Sequence, residues 1–162
     1  MTVTRTPPAA GSLGYTLIEL VLVIVIAGIL AAVGAPHFFD QATFAQRGYA
    51  DELAGAFRMA QKAAVASDCP AEVVVAAGAY AVKQQAASGN TCNPSDATWS
   101  TAVIGPDGQT VQNSAPNGVV ASPAGTWVYN GAGALSTAPA TSITVGTHTL
   151  SLDATTGYVQ VQ

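Results

Sequence analysis

The segment at residues 17–35 constrains the fold more than any other part of the sequence. Every residue in it except Glu19 is apolar or glycine. As an α-helix the segment would rise about 28 Å, close to the ~30 Å thickness of the hydrocarbon core of a bilayer. We therefore predict either a membrane-spanning helix or the apolar region of a cleaved secretory signal, since both have this length.

Two features count against the secretory signal. Its best small-x-small cleavage site ends at Ala35 and would leave Pro36 as the first residue, which is a poor peptidase substrate. Glu19 would also cost free energy when the apolar region inserts. Cleavage after Gly14 explains the carboxylate better. The mature chain would then begin with the amine of Tyr15, and Glu19 would follow one helical turn later, about 6 Å along the same face.

The predicted role of Glu19 follows from this placement. A carboxylate in the first turn of a helix is favoured by the helix dipole, and it can pair with a terminal ammonium of its own chain or of a neighbouring subunit. An unpaired carboxylate buried among Leu, Ile and Val is expensive, so it favours the subunit arrangement that supplies the amine. We predict that Glu19 sets the register of an assembly.

The stretch GYTLIELVLVIVIAGILAAVGAP, residues 14–36, resembles the N-terminal signature of type IV pilins and type II secretion pseudopilins. The resemblance implies that a prepilin peptidase cleaves between Gly14 and Tyr15 and methylates Tyr15, and that Glu19 acts in assembly. It further implies a leader at residues 1–14 and a transmembrane and assembly helix at residues 15–36. The chain would then be a single-pass inner-membrane protein with its C-terminal domain in the periplasm, or a subunit of a filament at the cell surface.

A second amphipathic segment follows Pro36, at which we expect a kink or a break. Apolar and alanine residues recur every three or four positions, which predicts that the helix continues over residues 37–68. Its apolar stripe consists of Phe38, Ala42, Ala45, Tyr49, Leu53, Ala56, Ala60 and Ala63. We interpret Phe38, Phe44, Tyr49 and Phe57 as core residues. The helix should end near Ser67, because Pro70 biases the residue before it toward extended geometry.

The remainder of the chain, residues 69–162, has the pattern of a β-rich domain. Short β-prone runs alternate with Gly, Pro and Asn, including a hairpin near Gly78 and a Pro-Asp-Gly turn at residues 106–108. We predict an α+β fold in which one long N-terminal helix, transmembrane in its first half, packs on a small antiparallel β-sandwich-like domain. With its ending LSLDATTGYVQVQ, this layout is similar to the minor pseudopilin H and FimT-like minor pilins; a minor pilin of the mannose-sensitive haemagglutinin type is a further relative.

The two cysteines, Cys69 and Cys92, are predicted to form a disulfide. In an exported domain a lone pair of cysteines is more often a disulfide than a metal site. Two thiolates cannot complete a zinc shell, and neither His37 nor His148 stands at ligand spacing from them. The bond would close a loop of about 23 residues and stabilise the domain by roughly 3 kcal/mol.

Charge and motif content exclude several functions. The formal net charge is −4, and the five basic residues are scattered, so we expect no binding of nucleic acid. Some DNA-uptake members of the FimT-like group bind DNA through a Gly-Arg-x-Arg run, but residues 157–160 here are Gly, Tyr, Val and Gln. The acid–base candidates of the β-region are Asp96, Asp107, His148 and Asp153, which stand in or beside predicted turns. We expect no catalysis, no cofactor and no metal.

The sequence thus predicts a minor pilin or pseudopilin whose partners are other pilin subunits, the prepilin peptidase and the inner membrane. The alternative is a membrane-anchored adhesin or binding module whose β-domain recognises a sugar, a surface or an exported protein. Its binding surface would use the aromatic residues of the β-region, which are Tyr80, Trp99, Trp127, Tyr129 and Tyr158.

Overall fold

The computed structural model describes residues 15–38, 41–88, 91–93 and 95–162, without the side chains of residues 33–38, 87 and 88. It divides the chain into two compact units, one up to residue 40 and the other Gln41–Gln162. The α+β class is confirmed, because two helices precede a set of antiparallel sheets. The sequence predicts a single long helix over residues 15–68. The described residues of this part of the chain instead form two helices, one in each unit.

The first helix, α1 (Leu17–Phe38), forms the first unit. It begins two residues later than the predicted cleavage site would place it, and it continues through Pro36. In the part of the chain that the structure describes, no helix has both the length and the apolar character needed to cross a membrane. The predicted transmembrane helix is therefore not found among the described residues.

The second helix, α2 (Gln41–Ser67), ends where the sequence predicts. Its buried residues recur at helical spacing, and half of them belong to the predicted apolar stripe; they are Tyr49, Ala50, Leu53, Ala54, Ala56, Phe57, Ala60 and Ala64. Phe44 is an exception to the prediction, because 74% of it is exposed. It lies on the face of α2 opposite the buried stripe, so helical phase outweighs its apolar character.

In the described residues, both of the turns predicted near Gly78 and at residues 106–108 are found, and twelve short strands follow α2. They are β1 (Ala71–Ala76), β2 (Ala79–Gln84), β3 (Ala87–Ser88), β4 (Thr91–Cys92), β5 (Thr101–Ala102), β6 (Gln112–Ser114), β7 (Ala121–Ser122), β8 (Gly125–Tyr129), β9 (Leu135–Thr137), β10 (Ser142–Val145), β11 (His148–Leu152) and β12 (Val159–Val161). The β1–β2 hairpin turns at residues 77–78, and residues 106–108 form the turn of a second hairpin between β5 and β6.

The strands form antiparallel sheets that share α2. A six-stranded sheet has the order β5-β2-β1-β8-β9, with β6 also paired to β2. A four-stranded sheet has the order β12-β11-β10-β7, and β3 and β4 form a small ribbon. The core contains residues of α2 and of both larger sheets. One amphipathic helix thus supplies the apolar face against which both sheets are buried.

An aromatic cluster lies at the centre of this core. Phe57 of α2 meets Trp127 and Tyr129 of β8 edge to face, with ring centroids 5.7 and 6.5 Å apart. Both β8 side chains keep their polar atoms paired, because Trp127 Nε1 donates to the Ala140 carbonyl at 2.8 Å and the Tyr129 hydroxyl donates to the Gly157 carbonyl at 3.1 Å. The cluster therefore joins α2, the large sheet and the loops that precede β10 and β12.

The predicted disulfide between Cys69 and Cys92 is confirmed, with Cα atoms 5.3 Å apart. Cys69 lies just beyond the end of α2, and Cys92 belongs to the β3–β4 ribbon. Gln84 Nε2 reinforces the same corner by donating to the Ala63 carbonyl of the last turns of α2 at 3.3 Å. The C-terminal end of the helix is thus tied by a hydrogen bond to the first hairpin and covalently to the ribbon that follows it.

Candidate functional site: the surface of α1 and a groove beside α2

The described surface of α1 is apolar and uncovered. Every residue from Tyr15 to Ala32 is exposed. The exposed fractions of the large apolar side chains range from 40% at Val21 to 81% at Leu17, and they show no buried side. A helix that is apolar all round is normally buried in a large assembly or in a membrane. This surface is therefore the strongest candidate for an interaction outside the chain.

The beginning of α1 positions the predicted processing and assembly residues. Gly14 lies outside the described residues. Tyr15 and Thr16 precede the helix, and 79% of Tyr15 is exposed. The Thr16 hydroxyl caps the helix by accepting a hydrogen bond from the Glu19 N–H at 3.3 Å. Glu19 thus stands at the third helical position, where its side chain is exposed and the helix dipole favours a carboxylate.

This geometry corrects one part of the prediction. Tyr15 is not in the helix, so the helical turn expected between Tyr15 and Glu19 is not formed. The sequence contains the signal for the actual start, because Thr-x-x-Glu at residues 16–19 is the pattern of a capping box. The sequence prediction overlooked this capping pattern and started the helix at the cleavage site instead.

The aromatic residues of the alternative binding surface are dispersed. Trp127 and Tyr129 are fully buried, and Tyr80 is 6% exposed. Trp99 is half-buried, and Tyr158 is 59% exposed. Three of these five side chains therefore pack in the core, where their burial stabilises the fold. The five do not form a shared aromatic surface.

Two of the predicted acid–base candidates accept hydrogen bonds from backbone N–H groups in and beside their own loops. The Asp96 carboxylate accepts five hydrogen bonds, from the Ala86 N–H and from the N–H and hydroxyl groups of Thr98 and Ser100. These bonds hold its pKa well below the ordinary value. The N–H and hydroxyl of Thr156 and the Thr155 N–H likewise lower the pKa of Asp153.

The other two candidates stand apart from these loops. Asp107 Oδ1 accepts the Gln109 N–H at 3.1 Å within the turn of the second hairpin. His148 Nε2 is buried and has no hydrogen-bond partner among the described residues. The four groups lie in different loops and strands, and Asp96 and Asp153 are held as carboxylates, which suits turn stabilisation. No group of three or more His, Cys, Asp or Glu that could hold a metal occurs in the described ranges.

A groove of about 620 Å³ lies between α2 and the hairpin at residues 103–114. The α2 wall consists of Glu52, Gly55, Ala56 and Met59, and the hairpin wall extends from Gly105 to Asn113. Glu52 and Asp107 give the lining two carboxylates, and no Lys, Arg or His belongs to it. The groove lining therefore combines two carboxylates with an apolar surface at Ala56, Met59 and Val111.

Glu52 is held in place by the groove itself. Its Oε1 accepts the Tyr80 hydroxyl at 2.7 Å and Asn113 Nδ2 at 2.6 Å. Burial, the Glu52 hydrogen bond and nearby negative charge raise the pKa of Tyr80, so its hydroxyl remains a donor at neutral pH. A Cβ at Gly55 would meet no atom within 4 Å, although glycine costs a helix interior roughly 1 kcal/mol relative to alanine. Nothing in the sequence pattern singled out this groove.

Comparison of the chain with protein-family models, with curated proteins and with solved structures found no match.

Proposed function

We propose that this chain is a minor pilin or pseudopilin, a structural subunit of a type II secretion pseudopilus or a type IV pilus. The observation that carries the proposal is the surface of α1, which is exposed and apolar along all of its described length except Glu19. Such a helix is stable only when other apolar surface covers it. In the proposal the covering surface is supplied by the same helices of neighbouring subunits.

Glu19 gives this packing its register. It is the one charged group among the described side chains of α1, and a buried carboxylate without a partner destabilises strongly. The amine of a processed chain at Tyr15 of a neighbour would neutralise it. Tyr15 itself lies before the helix and is exposed, which suits cleavage between Gly14 and Tyr15 by a prepilin peptidase followed by methylation.

The proposal also includes single-pass insertion in the inner membrane before assembly, with Gln41–Gln162 in the periplasm. It requires the apolar run to extend beyond Ala32, and the sequence continues with Val33, Gly34 and Ala35. The disulfide supports export of the second unit, because such bonds persist in oxidising compartments. The proposal assigns the chain no catalytic role.

The test of processing is intact mass spectrometry of the protein extracted from the membranes of its own host. We expect a chain that begins at a methylated Tyr15. A chain that retains Met1, or one that begins near Pro36, would contradict the proposal and favour the membrane-anchored adhesin.

The test of assembly is a Glu19→Lys variant measured by its incorporation into filaments that are sheared from cells. We expect incorporation to fall at least tenfold. The lysine would place a second positive charge beside the amine of the neighbouring chain, where the Glu19 carboxylate had paired with it. Asp51→Lys is the matched control, because it makes the same charge change at an exposed site of the second unit. Normal incorporation of Glu19→Lys would mean that α1 is only a tether.

A further inference from the structure

A groove of about 330 Å³, called here the Tyr158 groove, opens on the outer face of the four-stranded sheet, where β11 ends and β12 begins. Its lining consists of Ser151, Leu152, Asp153, Tyr158 and Gln160. Ser151 lies opposite Gln160 in the ladder, and one step further the Asp153 N–H donates to the Tyr158 carbonyl at 2.9 Å. Leu152, which alternates with Ser151 and Asp153, belongs to the core. The other four side chains therefore share the outer face.

The turn between β11 and β12 is anchored to the core of the second unit. The Tyr129 hydroxyl donates to the Gly157 carbonyl at 3.1 Å, and Gln61 Nε2 of α2 donates to the Thr156 carbonyl at 2.7 Å. Gly157 has a φ of +69°, and a Cβ there would collide with the Gly133 carbonyl oxygen. The turn is thus fixed on its support, so the groove is formed before a ligand arrives and binding costs little ordering.

The polar groups of the Tyr158 groove have unused hydrogen-bonding capacity. Asp153 Oδ1 accepts three hydrogen bonds within its own turn, whereas Oδ2 accepts none from the residues that the structure describes. The Tyr158 hydroxyl, the Ser151 hydroxyl and the Gln160 carboxamide also have no partner in that part of the chain. Both donors and acceptors are therefore offered to a ligand, and Asp153 supplies the one negative charge.

The ring of Tyr158 gives the groove an exposed apolar surface. This side chain is 59% exposed, whereas Tyr80 and Tyr129 of the large sheet are buried. A flat ring beside a few positioned polar groups is the usual composition of a small-molecule site. No Lys, Arg or His belongs to the lining, so nothing in the groove attracts an anionic ligand.

The sheet surface beside the groove is polar and uncharged. Its outward residues in the paired strands are Ser122, Ser142, Thr144, Thr149, Ser151 and Gln160. The residues that alternate with them, such as Ile143 and Leu150, are buried. A ligand that extends beyond the groove along the strands would therefore meet more hydroxyl groups and no charge.

We propose that the Tyr158 groove binds one ring of a neutral saccharide, with a C–H face of the sugar on the Tyr158 ring and its hydroxyl groups on the polar side chains beside it. The Asp153 carboxylate accepts from a sugar hydroxyl, and the Gln160 carboxamide both donates and accepts. The volume lies at the low end of the range for small-molecule sites, about 300–1,000 Å³, which suits a single ring.

The competing ligand is an organic cation, because an ammonium group is attracted by an aromatic face and by a carboxylate. A cation would use the Tyr158 ring and Asp153 and leave the Ser151 and Gln160 donors unused, whereas a saccharide uses all four side chains. The composition of the groove therefore favours the saccharide. This inference goes beyond the proposed function, since it uses no residue of α1.

The test is a titration followed by ¹H–¹⁵N spectra of the full chain in micelles of a polyoxyethylene detergent, which contains neither sugar nor ammonium. The neutral probes are maltose, cellobiose, lactose and N,N′-diacetylchitobiose, and choline chloride is the cationic probe. We expect at least one disaccharide to shift the amide signals of Ser151, Asp153 and residues 157–160. If no disaccharide shifts them up to its solubility, the proposal is overturned, and a response to choline would then assign the groove to a cation.

Variants locate the binding. Tyr158→Ala should weaken the affinity for the responding disaccharide at least tenfold, because the ring is lost, whereas Tyr158→Phe keeps the ring and should weaken it about threefold. Asp153→Asn keeps Oδ1 for the turn, removes the charge and should weaken the affinity about fivefold. Phe44→Ala is the matched control, since it removes a 74% exposed ring from α2, and it should have no effect. An unchanged affinity in Tyr158→Ala, with the rest of the spectrum preserved, would overturn the proposal.

The two proposals fail separately. If no disaccharide binds while Tyr15 is methylated in the host, the groove proposal is wrong and the assignment as a pilin or pseudopilin is unaffected. If a disaccharide binds in the Tyr158 groove of a chain that retains Met1 in the host, the saccharide site is real and the processing proposal is wrong.

Discussion

The two units of this chain differ in whether their large apolar side chains are exposed or buried. In α1 the large side chains are exposed along the whole described helix, whereas in Gln41–Gln162 Trp127, Tyr129 and Phe57 are fully buried. The second unit completes its core from its own strands and α2. The first unit has no buried side chain among residues 15–32. The comparison teaches that apolar content by itself does not determine whether a side chain is buried.

The largest expected effect comes from replacing one large apolar side chain in each unit by alanine and comparing the two losses of stability. Trp127→Ala should lower the free energy of unfolding of the second unit by about 3–5 kcal/mol, because it removes a fully buried ring and its contact with Phe57. Ile24→Ala, in which a 60% exposed side chain of α1 is shortened, should change it by less than about 0.5 kcal/mol. Hydrogen exchange of the β1 and β10 amides measures both variants. Equal losses would mean that the two units share a core.

The disulfide offers the next largest effect. Replacing Cys69 and Cys92 together by serine should lower the free energy of unfolding by about 3 kcal/mol, since the bond closes a loop of 23 residues. The same hydrogen-exchange measurement should show no change in the exchange of the α1 amides. A loss confined to residues 85–100, with the β10 amides unchanged, would show that the bond orders only its own loop.

The smallest expected effect concerns Asp96 and depends on pH. Its pKa is lowered in the folded chain, so the carboxylate stabilises the fold above its unfolded pKa of about 3.9, and this contribution is lost as the pH falls below that value. Asp96→Asn should therefore lower the melting temperature by a few degrees at pH 7. The difference from the parent chain should shrink below about pH 4. A difference as large at pH 2 as at pH 7 would assign the loss to shape and not to charge.

The local elements were predictable because their signals are short in range. The period of apolar residues gave the buried stripe of α2 and its end at Ser67, and the turn residues near Gly78 and Pro106 gave the hairpins. The disulfide followed from the count of two cysteines. The prediction for Phe44 was wrong, because this residue lies on the face of α2 opposite the stripe and so has the wrong helical phase for burial.

The candidate sites were predictable only in part. Glu19 could be selected from the sequence, since one charge in a long apolar run is conspicuous in any fold. The Thr16 cap has a sequence pattern, but it competes with the alternative start at Tyr15, and a hydrogen bond decides between them. The groove at Glu52 has no local signal, because Tyr80 and Asn113 come to it from strands far away in the chain.

The sequence by itself determined that one segment is uniformly apolar, that one helix is amphipathic, and that short strands follow it. These properties depend on neighbouring residues and on the fixed periods of helix and strand. Only the tertiary structure decided that the aromatic residues Trp127 and Tyr129 belong to the core, that Asp96 serves its own loop, and that Glu52 lies in an acidic groove. The reason is physical, because burial and hydrogen bonding between distant residues depend on how the elements pack, and no local period encodes that packing.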